Sequence, residues 1–401
     1  MFGTVRTRSA GIAYTLLALF CAFPTSTAVA APAFQPRNVE TFRATVNEAQ
    51  SLGWRSEEID AVIDYVTRMS TDSFIVSTGG KIVATVGDTH VPYEIHSMRK
   101  AMLSAVVGQH VGDGPRQIDL DASLEELGID DVPIPLTALQ KQATVLHLLR
   151  SMSGINHGAA ASAGLTEDID RRLGKEQNQP GTIWAYNNWD YNALTTVFET
   201  RTGLSVAEAF EKDVATPLGM SEFSSTSVHY LADPAVSRHR AAMFRMSASD
   251  LLAFGRMYLN NGKMGSQQVI PENWIANITG KAVETGIEGL RSGHGFLWWL
   301  PSPEDTGLPP GTYFAWGLGN QSLFVIPDWD TVIVHQSDTT AFVEKWMGMA
   351  EDGIPAEEAL LKIALSCMNS SNASTDFCIE DRFTLRPEFD GLIATIVKAH
   401  K

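Results

Sequence analysis

The sequence predicts an α+β fold: one antiparallel sheet flanked by terminal helices, with a helical subdomain inserted in the middle of the chain. Three observations predict it. Apolar runs of strand length, bounded by turn residues, occur near both ends, at 74–86 and 322–335. Segments with helical spacing and capping signals fill the middle. Further amphipathic helices lie outside the strands at either end. The 401 residues, 44% hydrophobic and 19% charged, are ordinary globular composition and enough for one large core or two subdomains.

Residues 38–69 read as one or two helices, with Ile59, Val62, Ile63 and Val66 on one face. Residues 74–77 and 81–86 flank Thr78-Gly79-Gly80, a β-hairpin pattern. A helix is expected from 97 to 112. In the middle, 144–151 ends near Ser153-Gly154, and 190–201 stops at Gly203. The helix at 205–214 is followed by Pro217-Leu218-Gly219-Met220, and that at 247–259 stops at Asn260-Asn261-Gly262. Residues 296–300 form a short aromatic strand, and 301–311 a Pro/Gly loop. The runs 322–326 and 331–335 flank Pro327-Asp328-Trp329-Asp330, a second hairpin. A terminal helix at 387–399 carries Leu392, Ile393, Ile396 and Val397. On this reading 31–401 is one domain. Its sheet subdomain is about 38–115 and 290–401, its helical subdomain about 116–289, and a cleft is expected at their seam.

The first 30 residues stand apart. Arg6 and Arg8 precede an apolar run from 10 to 23, and Ala28-Val29-Ala30 is an A-x-A cleavage site. The run is shorter than the ~20 residues of a spanning helix. It reads as a secretory signal peptide, so the protein is expected to be exported, periplasmic or secreted, with no membrane span in the mature chain. Cys21 leaves with it. Cys367 and Cys378 leave two readings open: a disulfide closing a short loop, or two free thiols. Net charge is −16 with no basic run of useful length, so nucleic acid is not an expected partner. No Cys/His spacing suggests a metal site.

The chemistry centres on Ser97-Met98-Arg99-Lys100, the only Ser-x-x-Lys in the chain. On a helix, i and i+3 share a face with Cβ atoms about 5–6 Å apart. A serine on the first turn then has an amine beside its hydroxyl and lies near unpaired backbone N–H groups, the layout of a Ser/Lys acyl-transfer nucleophile. Tyr186-Asn187-Asn188 follows Pro180-Gly181-Thr182 and precedes an apolar helix. A tyrosine there can project into a cleft, and beside a lysine cation its phenol pKa is expected to fall from about 10. Asn188 offers an amide to orient the lysine or a substrate carbonyl. Tyr258-Leu259-Asn260 fits the same pattern but lies in the last turn of a helix. Gly317 and Leu318, within Ala315-Trp316-Gly317-Leu318-Gly319-Asn320-Gln321, lead into a strand whose edge can supply a second oxyanion N–H. His96 and His157 read as packing residues, and His239 and His335 carry no assignment.

In this order, the motifs resemble those of the serine β-lactamase-like hydrolases. That family includes class C β-lactamases, D-alanyl-D-alanine carboxypeptidases, family VIII esterases and nylon-oligomer hydrolases. The likeness runs from about Phe74 to Asp338. Residues 96–100 with Val107-Gly108 are similar to the family's nucleophile helix. Residues 145–154 resemble its "hLL-x-x-[ST]SG" segment. Tyr186-Asn187-Asn188 resembles its Tyr-x-Asn motif, with Tyr191 at the tyrosine that often follows. Pro217-Leu218-Gly219-Met220 and the segment 246–251 are similar to further family hallmarks. The resemblance implies a β-lactamase/transpeptidase-like fold and an acyl-enzyme on Ser97. It makes Lys100 and Tyr186 the proton-transfer groups, and it implies no cofactor.

One departure stands out. The family's third motif, Lys-Thr-Gly or His-x-Gly, is replaced by Ala315-Trp316-Gly317. The cation and hydroxyl that hold a substrate carboxylate are therefore missing there. A small-molecule ester or amide is the expected substrate, with an esterase-like preference. The alternatives are a β-lactamase or D-alanyl-D-alanine carboxypeptidase, with Arg291 as a substitute cation, and a non-catalytic ligand-binding homologue.

Overall fold

The computed structural model describes residues 39–162, 166–174, 178–351 and 386–400. The expected leader at 1–30 and the cysteines at 367 and 378 lie outside the described residues. In chain order the strands are β1 (Thr41–Arg43), β2 (Ser73–Thr78), β3 (Lys81–Gly87), β4 (Tyr93–Glu94), β5 (Val228–Asp233), β6 (Ser237–Met246) and β7 (Lys263–Met264). They continue with β8 (Gln267–Gln268), β9 (Val283–Glu284), β10 (Gly293–Gly295), β11 (Trp298–Leu300), β12 (Tyr313–Trp316), β13 (Ser322–Ile326) and β14 (Thr331–Gln336).

Strands from both ends of the chain meet in one nine-stranded antiparallel sheet, ordered β1-β3-β2-β14-β13-β12-β11-β10-β9. The two hairpins read from the sequence join at its centre, where β14 pairs with β2 from Thr331 opposite Thr78 to Gln336 opposite Ser73. Every residue of β2, β13 and β14 is buried, which explains their continuous apolar runs: both faces are covered. Side chains alternate across a strand, and directly paired residues share a face. Leu323 and Val332 therefore point one way, towards Gly255 of the helix Ala248–Leu259. Phe324 and His335 point the other way, towards Phe389 of the terminal helix Arg386–His400. That terminal helix packs on the helix Ser56–Arg68, whose Ile59, Val62 and Val66 are buried as the periodicity requires.

The helix 248–259, a middle-segment element by sequence, thus lies against the sheet. The middle also holds something that propensity hid. β4, β6 and β5 form a three-stranded sheet, and β6 begins Ser-Arg-His-Arg, with Arg238 and Arg240 on its exposed face. Polar residues on one side of a strand mask it in a composition reading. β1 is too short for a pattern. Phe296 and Leu297 carry positive φ values of 48° and 72°, so they turn the chain between β10 and β11 instead of extending it. β12 was concealed behind the Pro/Gly loop that precedes it.

Helix ends follow the sequence signals. Thr144 caps the helix Val145–Leu149 in a box with His147. The helix Asn188–Thr202 ends at Gly203 in the left-handed region, φ 73°. Among the described residues no helix is long and apolar enough to cross a membrane.

Close approach of the helix 248–259 to the sheet depends on Gly255. A Cβ there would lie 2.6 Å from Val332 Cγ1 and 2.8 Å from Leu323 Cδ1, both in fully buried side chains. Gly255→Val should therefore lower stability by about 1–3 kcal/mol in urea unfolding, the usual cost of overpacking. Gly280→Ala, with open space around its Cα, is the control expected to change little. Equal midpoints for wild type and Gly255→Val would contradict this packing.

Candidate active site

The strand β4 delivers the chain into the site. Ile95 N donates to Phe244 O of β6 at 3.0 Å, and a tight 3₁₀ turn, His96–Met98, follows. The helix Arg99–Gln109 continues from it. Ser97 therefore sits in the turn before the α-helix rather than inside its first turn. His96 is held at φ 48°, with its Nε2 2.6 Å from Thr339 Oγ1 just beyond β14. Such a backbone persists only where surrounding contacts fix it.

Lys100 Nζ lies 2.9 Å from Ser97 Oγ. The lysine is 2% exposed, and its Nζ is 4.9 Å from the ring centroids of both Tyr186 and Tyr191. Among the described residues no carboxylate pairs with it. Burial holds its pKa well below the usual lysine range, and the neighbouring Arg99 charge adds to that. Arg99 is itself buried and donates from Nη2 to Asn192 Oδ1 at 3.0 Å.

Tyr186 arrives from a different stretch of chain. Its loop is pinned by Ala185 N donating to Ser151 O at 3.0 Å and Asn187 Nδ2 donating to Ile155 O at 2.6 Å. Asn187 also caps the helix 188–202, its Oδ1 accepting from Trp189 N. The Tyr186 ring stacks on Trp299 at 5.0 Å and 27°, and Ser97 is near enough to pull its phenol pKa down. The alcohol, amine and phenol expected from sequence are thus together. The expected lowering of the phenol pKa is reversed. Burial pushes it up to about 12, against smaller downward pulls from Ser97, Arg99 and Arg291. Desolvation of the phenol itself outweighs the pull of the cations around it.

Gly317 sits where the third motif was expected. A Cβ on it would run into Ile95 O and lie 3.2 Å from Ser97 N, so only glycine lets β12 close on the nucleophile turn. Its N–H donates to Gln321 O at 2.8 Å, which closes the turn carrying Leu318. The Leu318 side chain points away, packing on Phe342. Asn188 is buried, and its Nδ2 donates to Ala161 O at 2.8 Å, so the donor half of its amide is committed to a loop. Its Oδ1 is buried without a partner among the described residues.

One residue at the site was not legible. His294 is fully buried, with neither ring nitrogen bonded among the described residues. Trp184, Tyr186, Tyr191 and Trp299 surround it. Burial, with Lys100 nearby, drives its pKa down to about 3 and keeps it neutral. Its one sequence signal was a lone histidine between Gly293 and Gly295, before Trp298-Trp299. The Arg291 guanidinium stacks 5.1 Å from Trp316 and 5.8 Å from Trp299. His157 is a packing residue, as expected, with Nδ1 3.3 Å from Asp131 Oδ2 and its ring edge-on to Trp189. No cluster of three or more potential metal ligands occurs among the described residues.

A family model described as Beta-lactamase matches residues 59–346. An uncharacterized protein of Alkalihalophilus pseudofirmus is 24% identical over 262 residues, covering 60% of this chain and 72% of its own length. The octameric penicillin-binding protein homologue from Pyrococcus abyssi has a TM-score of 0.51 at 17% identity, over 78% of this chain and 76% of its own. A penicillin-binding protein homolog from Caulobacter crescentus has a TM-score of 0.51 at 14% identity, over 70% of this chain and 92% of its own. At these identities the two structures show the shared fold. The family match takes in Ser97, Lys100, Tyr186 and Gly317, and this chain belongs to the beta-lactamase family of serine hydrolases.

Proposed function

We propose that this serine hydrolase cleaves a small ester or amide through an acyl-enzyme on Ser97, with an esterase-like preference. The observation that carries the reading is the 2.9 Å approach of a buried amine, Lys100 Nζ, to Ser97 Oγ. A nucleophilic serine needs a base that is unprotonated at working pH. Burial gives Lys100 that state, while the raised pKa of Tyr186 keeps the phenol protonated. Lys100 is therefore the acylation base. The Oγ–C bond forms as the hydroxyl proton passes to Nζ and the carbonyl π electrons move to oxygen. Backbone N–H groups of Ser97 and Leu318 receive that oxyanion, a donor of this kind contributing about 3–4 kcal/mol. The proton on Nζ is relayed through Tyr186 to the leaving group, and the reverse relay activates water for deacylation.

The esterase preference rests on the third motif, where Trp316-Gly317 offers neither cation nor hydroxyl to a substrate carboxylate. One observation favours the second reading, a β-lactamase or D-alanyl-D-alanine carboxypeptidase: Arg291 is close enough to bias Tyr186 electrostatically. Its stacking on two indoles gives it a packing role, so the neutral substrate is preferred. A purely ligand-binding homologue has no need of an unprotonated amine against a serine hydroxyl. Export, with removal of 1–30, is part of the same proposal.

Ser97→Ala should abolish turnover and fluorophosphonate labelling while leaving the circular dichroism spectrum unchanged; full activity in that variant would refute the assignment. Short-chain p-nitrophenyl esters should be cleaved far faster than nitrocefin, and equal or better nitrocefin turnover would refute the esterase reading. The pH profile has a definite sign. Lys100 works as the free amine, so kcat/KM should fall as pH drops through its depressed pKa. It should then stay flat into the alkaline range, until the Tyr186 phenol is lost near about 12. A limb at the ordinary lysine value near 10.5 would contradict this.

A further inference from the structure

We propose that Tyr191 is a positioning residue: its ring is the second wall of an aromatic clamp that holds Lys100 against Ser97 and stabilises the ammonium formed when the serine proton arrives. The inference rests on the Ser97/Lys100 reading above and deepens it.

The difficulty it answers is electrostatic. Proton transfer from Ser97 Oγ to Lys100 Nζ creates a cation in a pocket with no carboxylate partner among the described residues. The groups facing it are Ser97, the two tyrosines, Arg99 on its own helix, and His96 and His294, both held neutral by burial. Arg99 is repulsive. What remains attractive is the negative face of an aromatic ring, effective within about 6 Å of the centroid. Two such faces flank Nζ, each at 4.9 Å.

Tyr186 is stacked on Trp299. Tyr191 is 0% exposed, so it acts through Lys100 and not on substrate. Its orientation is fixed from behind. The hydroxyl shares a hydrogen bond with Ser151 Oγ, and Ser151 is a non-glycine residue held at φ 54°. The carbonyl of the same Ser151 accepts from Ala185 N, next to Tyr186. One strained residue thus sets both walls of the clamp. Two residues on, Ser153 Oγ donates to Asp190 Oδ1, which fixes the turn of helix that carries Tyr191.

The test separates ring electrostatics from packing. Tyr191→Phe keeps the ring, and adding one, two and three fluorines to that ring keeps its shape while draining its negative face. The readouts are the acylation rate and the acid limb of kcat/KM. Loss of the π face makes Lys100 a poorer proton acceptor, so the limb should move to lower pH and the rate should fall with each fluorine. A desolvated cation–π contact corresponds to roughly a tenfold change, or one pH unit of limb, across the series. Tyr191→Leu should show the full effect if it folds; the fluorinated series decides the matter if it does not. A limb and rate independent of fluorination would overturn the clamp. Ser97→Ala, assayed alongside, tells the two claims apart. An active Ser97→Ala protein sinks the site reading, and an inactive one with a flat fluorine series sinks the clamp alone.

Discussion

An amine shut away from water and left without a carboxylate partner holds its proton less tightly, and the proposed reading of this site depends on that constraint. Lys100 is enclosed by two tyrosine rings, an arginine and the nucleophile turn. Among the described residues no carboxylate pairs with it, and burial, with Arg99 adding to it, lowers its pKa well below the usual lysine range. The same dryness acts on Tyr186 in the opposite chemical sense, keeping its proton in place. One physical cause, burial, therefore shifts the two groups in opposite directions, which supports the proposed division into acceptor and donor. This is the pattern expected where neighbouring titratable groups divide acid and base work.

The fold exists, in functional terms, to bring three stretches of chain to that dry point. The β4 strand aims the nucleophile turn by pairing with β6, which belongs to the middle segment. The helix 188–202 carries Tyr191, and the loop before it, fixed to the 151–155 segment, carries Tyr186. The central hairpin β13–β14 holds the Gly317 turn from below: Gln321 and Ser337 are hydrogen-bonded across its end, and His335 Nδ1 lies 3.0 Å from Asn320 O. Displacing any one of these would open the pocket to water, and water would return the proton to Lys100. Stability of the packing and chemistry of the site are therefore the same problem here.

How much of this the sequence disclosed follows from what kind of physics each feature rests on. The hairpins at 73–87 and 322–336 were legible because β2, β13 and β14 are covered on both faces and turn residues separate each pair of runs. The capped helices at 145–149 and 248–259 were legible because their ends carry Thr, Ser, Asn and Gly signals. Ser97 and Lys100 were legible because i and i+3 on a helix is a local relation. β6 was not, since its exposed arginines dilute the pattern, and neither was the side of the sheet on which 248–259 lies. The charge states at the site were also out of reach. The shift at Lys100 comes mainly from burial, and the rings enclosing it, Tyr186 and Tyr191, sit about 90 positions away in the chain. Tyr186 accordingly lies beside Lys100, but its pKa shifts in the direction opposite to the one expected.

The charge of one nitrogen tests this most directly. Selective labelling of lysine with ¹⁵N at Nζ, and assignment of the Lys100 signal by its loss in Lys100→Met, allows its protonation to be followed by NMR across pH. An amine signal at neutral to mildly alkaline pH, with titration well below the ordinary lysine range, is the expected result. An ammonium signal at Lys100 that titrates near 10.5, like a surface lysine, would contradict the free-base site.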